Sequence, residues 1–314
     1  MGELERSLAP CGRPRQTTLQ QPCGCEADPS QDSPLASASA GSHEVDGERA
    51  IQRGHPSYCW RAGQERRLEL VRQHVPIDDR CILDVGCGLG MYTEAFRRYS
   101  AQVYGVEVEL ERAIQAFPRA AGIAQAVGEA LPFASDTFDL VFGHEVLEHV
   151  ADDRQVVREM VRVTRPGAHV VTFAPNRLWP WETHGVYWRG RYHFGNIPLV
   201  NYLPNVLRNR LAWHVRTYTR RRLLSLFGGL PVRIVHLSTV YPGFDNVVHR
   251  SARLGRWVRV VSYRCEHMPI LDRCGLSHFL VVQKQSEPMG RDRWQANGTP
   301  VPAQAKPEAV STLR

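Results

Sequence analysis

The sequence predicts an α/β fold: a seven-stranded mixed sheet with helices on both faces and two inserted lid segments. Short apolar runs alternate with amphipathic stretches, which is typical of βαβ units. The first run ends in an acid and then places a glycine at every second position, in LDVGCGLG at Leu83–Gly90. A chain of 314 residues with 43% hydrophobic content can also bury a substantial core.

The predicted elements begin with a helix over Gln64–His74, in which Leu68 and Val71 recur at helical spacing. Pro76 ends that pattern. Seven apolar runs then predict the strands: Cys81–Val85, Val103–Val108, Ile123–Val127, Phe138–Phe142, His169–Ala174, Val232–Leu237 and His278–Gln283. Further helices are expected to begin at Met91, Glu145 and Thr219.

The chain divides into a folded domain and two tails. Residues 1–50 and 286–314 are polar and contain Pro, so they are expected to be disordered. The folded domain is expected at 55–285. Within it, the segments 175–216 and 241–275 are too long for ordinary connections, which predicts a substrate lid.

Composition limits the class of protein. No run of 18 apolar residues occurs and the N-terminus lacks a secretion signal, which predicts a cytoplasmic protein, with peripheral membrane attachment left open. The eight cysteines lack CxxC pairs, so we expect reduced thiols and no metal. The net charge of +7 is carried by arginine, and Glu182 is the only acid between Asn176 and Arg222. That segment is expected to attract an anionic ligand or surface.

Gly86, Gly88 and Gly90 lie where a strand turns into a helix, so unusual dihedrals and close ligand approach are both available there. A plain glycine-rich turn is the alternative. The dinucleotide fingerprint GxGxxG fails because its third glycine falls at Met91, and the Lys-Ser/Thr of a phosphate-binding loop is absent. About twenty residues on, Glu107 ends the second strand, where an acid can accept hydrogen bonds from both ribose hydroxyls. An ordinary solvated glutamate is the alternative there.

Five segments together resemble the successive motifs of class I S-adenosylmethionine-dependent methyltransferases: LDVGCGLG, VYGVEVE, GEALPF, FDLVFGHEVLEHV and REMVRVTRPGAHVVTFAPN. The similarity covers roughly Arg80–Asn176 and is closest to the small-molecule type, with motifs like those of ubiquinone and menaquinone methyltransferases. HVRTYTRRRLLSLFGGL and SHFLVVQK are similar to the last helix and strand of that superfamily. The resemblance implies a Rossmann-like fold and S-adenosyl-L-methionine as cofactor.

The resemblance also implies a set of cofactor-binding residues: Asp84, Gly86, Cys87, Gly88, Gly90, Glu107, Glu129, Ala130 and His144. The glycine loop would lie under the methionine and ribose, with Asp84 orienting that loop or meeting the methionine ammonium. Glu107 would hold the ribose, while Glu129 and Ala130 would lie beside the adenine. His144 would lie beside the methionine. An acidic site of this kind suits a cationic ligand.

Methyl transfer from a sulfonium is an in-line displacement, so the enzyme chiefly aligns donor and acceptor and excludes water. A base is optional and no metal is required. Histidine is the best suited base near neutral pH, and the candidates are His184 and His193, then His144. Asp139 and Glu148 are assigned to capping or packing.

The inserts carry the features that bear on the acceptor. The first is rich in aromatic residues: Trp179, Trp181, Tyr187, Trp188, Tyr192 and Phe194. They could wall an apolar acceptor or form the small core of a surface subdomain. The second insert contains NVVHRSARLGRWVRVVSYR, which predicts one basic amphipathic helix. Packing of that helix on the core is favoured, and contact with an anionic membrane is the alternative.

These observations predict a methyltransferase acting on a small-molecule, apolar or lipid-like acceptor. A nucleic-acid methyltransferase and a noncatalytic methyltransferase-like scaffold are the alternatives. Nucleic acid is disfavoured because no RNA-binding module is recognisable and GHEV follows the fourth strand in place of an Asn-Pro-Pro-Tyr type motif. No obligate protein partner is expected. A quinone, lipid, glycan and polyketide-like metabolite all remain open as acceptors.

Overall fold

The computed structural model describes residues 60–286. The tail expected at residues 1–50 lies outside the described residues, as does all but the first residue of the tail expected at 286–314.

A seven-stranded sheet organises the described chain. In chain order its strands are β1 (Ile82–Val85), β2 (Val103–Glu107), β3 (Gly122–Gln125), β4 (Phe138–His144), β5 (Thr164–Pro175), β10 (Val232–Val240) and β11 (Ser277–Lys284). The spatial order is β10, β11, β5, β4, β1, β2, β3. β11 pairs antiparallel with both β5 and β10. The other five strands, in the spatial order β5, β4, β1, β2 and β3, run parallel to one another. The predicted mixed sheet is confirmed.

Four shorter strands lie in the first insert: β6 (Trp181–Glu182), β7 (Val186–Trp188), β8 (Arg191–His193) and β9 (Ile197–Pro198). The α-helices are α1 (Ala62–His74), α2 (Met91–Phe96), α3 (Leu110–Ala116), α4 (Asp153–Val163), α5 (Asn205–Leu211), α6 (Arg220–Leu226), α7 (Asp245–Arg250) and α8 (Ala252–Cys265). Single 3-10 turns occur at Phe117–Arg119, Val200–Tyr202 and Leu271–Arg273.

Helices cover both faces of the sheet because successive strand residues point to opposite sides. On one face Ile82 joins a buried cluster with residues of α1 and α2. On the other face its neighbour Leu83 joins a second buried cluster with residues of α4 and α6. The carboxyl ends of β1, β2 and β4 therefore meet at one edge between covered faces, which is where ligands enter open α/β sheets.

The helix expected to begin at Glu145 is absent, and residues 145–150 form a turn instead. The backbone of Glu145 is left-handed, with φ 55°, which a continuing helix cannot accommodate. The next helix is α4, and it begins at Asp153 because the Asp152 side chain accepts the Arg154 and Gln155 N–H groups at 3.0 Å each. Glu148 consequently lies in a turn rather than on a helix.

The second insert also departs from its predicted form. Its single expected helix is two, α7 and α8, because Ser251 has extended backbone and its side chain accepts the Leu254 N–H. The prediction that this helix packs its apolar stripe on the core is wrong, since Leu254 and Trp257 are 53% and 65% exposed. Only Gly255 of α8 is fully buried, and an added Cβ there would meet Val248 of α7 at 2.4 Å.

The cysteines and the helix lengths bear on two of the expectations from composition. Cys81 is disulfide-bonded, so the expectation of reduced thiols is wrong at this residue, whereas Cys87, Cys265 and Cys274 are free. Within residues 60–286, no helix has both the length and the apolar character needed to cross a bilayer.

Candidate active site

The glycine loop follows β1 and reaches α2 through three left-handed residues. Gly86, Gly88 and Gly90 have φ of 68°, 55° and 78°, a region that other residues enter only with strain. A Cβ on Gly86 would lie 2.6 Å from Val146, so this glycine lets the loop pack against the turn after β4. A Cβ on Gly88 would meet no atom of residues 60–286 within 4 Å. Gly88 is therefore the point at which a ligand can approach the backbone.

Glu107 closes β2 and holds the glycine loop in place. One carboxylate oxygen accepts the Gly88 N–H at 2.8 Å, and the other accepts the N–H groups of Val108 and Glu109 at 3.0 and 3.1 Å. The residue is only 5% exposed. A carboxylate has about four acceptor sites, so capacity remains for a ligand hydroxyl beside Gly88. This geometry fits the ribose role that the resemblance implies.

Asp84 lies beneath the loop at the end of β1. It is 2% exposed, and one of its oxygens accepts the Thr93 hydroxyl from α2 at 2.7 Å. Burial raises the pKa of Asp84 to about 7, and the charge of Glu107 acts in the same direction against the Thr93 hydrogen bond. A cation bound beside this carboxyl would favour its ionised form. The pair Asp84 and Glu107 therefore suits a ligand with an ammonium or sulfonium group.

Two of the other predicted cofactor residues already serve the fold. One oxygen of Glu129 accepts the N–H groups of Ala151 and Asp152 at 2.9 and 3.1 Å, just before α4. Cys87 is buried against Gly105, and burial raises the pKa of its thiol, which stays neutral. Ala130 is exposed on the loop that follows β3.

His144 is the last residue of β4, not a residue after the strand. Its ring lies 4.6 Å from the Tyr92 ring and 5.5 Å from the Phe173 ring, measured between centroids. Burial lowers the pKa of His144 to about 3, and the Arg67 charge acts in the same direction. The imidazole is therefore neutral near pH 7. Its Nε2 atom is buried without a hydrogen-bond partner among the described residues.

The turn after β4 meets the first insert in a cluster of a carboxylate and two imidazoles. Glu148 is 1% exposed, and its Oε1 atom lies 3.9 Å from the Nε2 atoms of both His149 and His184. Neither Glu148 oxygen accepts a hydrogen bond from any residue in 60–286. Burial and the nearby Glu145 carboxylate raise the pKa of Glu148 well above its ordinary value. Glu148 lies in a turn and its carboxyl accepts no helix N–H group within the described part of the chain, so its assignment to capping is wrong, whereas its burial agrees with packing.

His184 is oriented by the small core of the first insert. One oxygen of Glu182 lies 3.1 Å from the His184 Nδ1 atom, and the same oxygen accepts the backbone N–H of His184 at 3.0 Å. The other Glu182 oxygen accepts the guanidinium of Arg208 at 2.8 Å, and both side chains are almost fully buried. Burial opposes ionisation of Glu182, but the His184 hydrogen bonds and the Arg208 charge still lower its pKa.

The two histidines predicted as bases lie in different environments. His184 joins the cluster with Glu148, whereas His193 lies on β8, where it is exposed. Sequence reasoning missed the cluster, although acidic Glu148 followed at once by His149 after a strand was a usable signal. Asp139 agrees with its structural assignment, because it accepts the Cys81 N–H at 2.9 Å and pairs with Arg165 at 2.7 Å.

Both inserts adjoin each other beyond the carboxyl ends of β4 and β5. The rings of Trp179 and Tyr241 lie 5.8 Å apart, and the Asn176 side chain donates to Arg273 and Gly275 carbonyls of the second insert. A cleft of about 540 Å³ opens on the first insert. Four arginines line it: Arg177, Arg208, Arg216 and Arg222. Each of these arginines already donates a hydrogen bond to a protein oxygen. Much of the positive charge in the first insert therefore stabilises the fold.

Known proteins similar to this chain share the part that contains the glycine loop. Residues 83–172 match a protein family described as a methyltransferase domain. The chain is 39% identical over 121 residues to an uncharacterized methyltransferase of Mycobacterium leprae, covering 37% of this chain and 45% of that protein. It is 36% identical over 110 residues to norajmaline N-methyltransferase of Rauvolfia serpentina, covering 32% and 38%. The chain thus spans less than half the length of these curated relatives.

The fold is also similar to that of solved structures. One such structure is the complex between the Trm112 methyltransferase activator of Haloferax volcanii and a methyltransferase. A chain of that complex matches this chain with a TM-score of 0.50 and 12% identity. The match covers 80% of this chain and 97% of that chain. At this identity the likeness concerns the fold alone.

Proposed function

We propose that this chain is a class I S-adenosylmethionine-dependent methyltransferase that transfers a methyl group from S-adenosylmethionine to a small apolar or lipid-like acceptor. One observation carries the cofactor part of the proposal. Two buried acids, Asp84 and Glu107, flank the open approach at Gly88. When bound there, the cofactor supplies an electrophilic methyl group on a cationic sulfur. The residues around it bind, orient and exclude water.

Each acid has a distinct part in binding. Asp84, whose carboxylate accepts the Thr93 hydroxyl, lies beneath the loop and would attract the positively charged ammonium of the methionine portion. Glu107 would offer its remaining acceptor capacity to the ribose beside the Gly88 amide. Glu129 retains one carboxylate oxygen for the adenine, since the other accepts backbone N–H groups. The binding site is thereby largely pre-formed, which limits the ordering cost of binding.

The acceptor proposal rests on the position and character of the inserts. They adjoin at the sheet edge where ligands enter, and the first insert leaves β5 directly after Pro175. Aromatic side chains of that insert remain exposed, including Trp181, Trp188 and Phe194. An apolar acceptor would cover part of this surface and bring it out of water. The lid role of both inserts supports exclusion of water during transfer.

A transfer assay against a cell extract tests the acceptor class. The full chain is incubated with methyl-labelled S-adenosylmethionine and a lipid and metabolite extract, and the labelled product is identified by mass. We expect label in a small apolar molecule, and no label with Gly88→Arg. Label in transfer RNA or duplex DNA would overturn the small-molecule acceptor. Cofactor binding without label in any fraction would favour the noncatalytic scaffold.

Helix α8 supports a membrane-associated form of this function. Its exposed apolar residues are Leu254, Trp257, Val260 and Val261. Exposed arginines 253, 256 and 264 flank them, and the helix contains no acid. The opposite side of α8 is held by α7, since Arg259 pairs with Asp245 at 3.1 Å. An apolar stripe bordered by cations fits a bilayer with anionic headgroups. We propose that α8 rests on such a surface and brings the inserts near a lipid-like acceptor.

Flotation with vesicles tests this attachment. Binding is expected to phosphatidylcholine vesicles that contain phosphatidylserine, and not to phosphatidylcholine alone. Reversing two charges in Arg253→Glu with Arg256→Glu should weaken binding by at least about 2 kcal/mol, or roughly thirtyfold, at about 1 kcal/mol per cation. The control Arg154→Glu with Arg158→Glu makes the same charge change on α4. Equal loss in both pairs would contradict a specific role for α8.

A further inference from the structure

We propose that Glu148, His149 and His184 form a binding site for a divalent transition-metal ion. The three side chains come from two parts of the chain, the turn after β4 and the segment between β6 and β7. Their ligand atoms all lie within 4.8 Å of one another. One carboxylate oxygen and two imidazole nitrogens are a donor set typical of zinc and of non-haem iron.

The spacing fits an ion better than direct hydrogen bonds. Glu148 Oε1 is 3.9 Å from each imidazole nitrogen, which is too long for a hydrogen bond. Two donors on one tetrahedral zinc ion stand about 3.3 Å apart when both bonds are about 2.0 Å. Closing each of these two gaps by about 0.6 Å would bring Glu148 and each imidazole to the spacing of two ligands on one ion. Rotation of the half-exposed His149 side chain can supply part of that closure.

The burial of Glu148 also favours an ion at this place. Its carboxylate is 1% exposed, and neither oxygen accepts a hydrogen bond from any part of the described chain. The carboxyl lies beside the Glu145 carboxylate, so keeping both acids ionised at this buried place is costly, and a bound cation would offset that cost. Its Oε1 atom faces both imidazoles, at 3.9 Å from the Nε2 atom of each. An ion there would satisfy the carboxylate and the two Nε2 atoms together.

The surroundings of His184 are those of a metal ligand. Glu182 lies 3.1 Å from its Nδ1 atom, which leaves Nε2 to face Glu148. A carboxylate on the second ring nitrogen fixes the tautomer and orientation of metal-binding histidines. Arg208 holds Glu182 from the other side at 2.8 Å. Glu182 is therefore a positioning residue for the site, acting through His184.

The location of the site joins it to the proposed reaction. Val146, in the same turn as Glu148, lies against Gly86 of the glycine loop. Three protein donors leave open positions on a four- to six-coordinate ion. Resting on the proposed function, we assign those positions to an oxygen of the acceptor, whose proton the ion would make easier to lose. Binding of the ion itself does not depend on that assignment.

Cobalt binding to the full chain tests the site. Protein stripped with a chelator is titrated with Co²⁺, and visible absorption reports the ligand set. We expect one Co²⁺ per chain without a thiolate charge-transfer band. Glu148→Gln and His184→Ala should each weaken binding by at least a hundredfold, and Glu182→Gln by roughly ten- to a hundredfold. The exposed control His267→Ala should bind as the wild type does.

Three results would overturn the site: no stoichiometric Co²⁺ binding, a thiolate band that survives in Glu148→Gln, or equal affinities in Glu148→Gln and wild type. Circular dichroism shows whether each variant folds. Calorimetry with S-adenosylmethionine on the same samples separates the two proposals. Cofactor binding without Co²⁺ binding would remove the metal site and leave the methyltransferase proposal standing.

Discussion

Replacing Asp84 by Asn should remove most of the pH dependence of cofactor binding. The pKa of Asp84 is about 7 in the cofactor-free protein because the carboxyl is buried near Glu107. If the cationic cofactor binds the ionised form, the apparent Kd scales as one plus the ratio of protonated to ionised carboxyl. That factor is about 11 at pH 6 and about 1.1 at pH 8. Affinity should therefore be about tenfold weaker at pH 6, or about 1.4 kcal/mol.

Calorimetry at both pH values, in buffers of different ionisation enthalpy, measures this linkage. Wild type should release roughly 0.9 proton per bound cofactor at pH 6, because about that fraction of Asp84 is protonated beforehand. Asp84→Asn should bind more weakly with little change between pH 6 and 8. The same tenfold change in Asp84→Asn, or none in the wild type, would refute the reasoning.

The stability of the cofactor-free protein should carry the opposite signature. The folded state holds an extra proton on Asp84 between its ordinary pKa of 3.8 and about 7. The contribution of Asp84 to the free energy of unfolding therefore falls as pH rises through that window. Urea denaturation of wild type and Asp84→Asn across this range measures the difference. A contribution that rises with pH would contradict the burial of this carboxyl.

Two other variants test the fold around the site. Arg208→Ala should destabilise the first insert by about 3–5 kcal/mol, because it leaves the buried Glu182 charge unpaired; limited proteolysis should then cleave the insert, and an unchanged pattern would refute this. Gly86→Ala should destabilise more than Gly167→Ala in urea denaturation. Both glycines have positive φ, but only at Gly86 would the Cβ meet Val146 at 2.6 Å. Equal losses would contradict the close packing of the loop.

The sheet could be predicted from the sequence because central strands such as β1 are buried on both faces. Continuous apolar runs such as the one ending in Asp84 leave few other structures available. The glycine loop and Glu107 followed from spacing along the chain. The turn at Glu145 did not, because Val146 and Leu147 look helical in sequence and are used instead to pack against neighbouring elements. That choice depends on contacts distant in sequence.

The exposure of α8 could not be read from periodicity either. An apolar stripe on a helix suits a protein core and a membrane surface equally, and only the tertiary structure shows that Trp257 faces outward. The cluster at Glu148 joins residues 36 positions apart, Glu148 and His184. The fold of the first insert around Arg208 brings them together. A linear motif can suggest Glu148 and His149, but not their partner.

Calorimetric titration with S-adenosylmethionine tests cofactor binding at the glycine loop most directly. One site per chain with a micromolar Kd is expected, corresponding to about 7–9 kcal/mol. Gly88→Arg should abolish binding because its side chain would occupy the open approach, and Glu107→Ala should weaken it. Circular dichroism and the Gly167→Ala variant control for folding. Unchanged affinity in Gly88→Arg and Glu107→Ala, or no binding by the folded wild type, would contradict the assignment of this site.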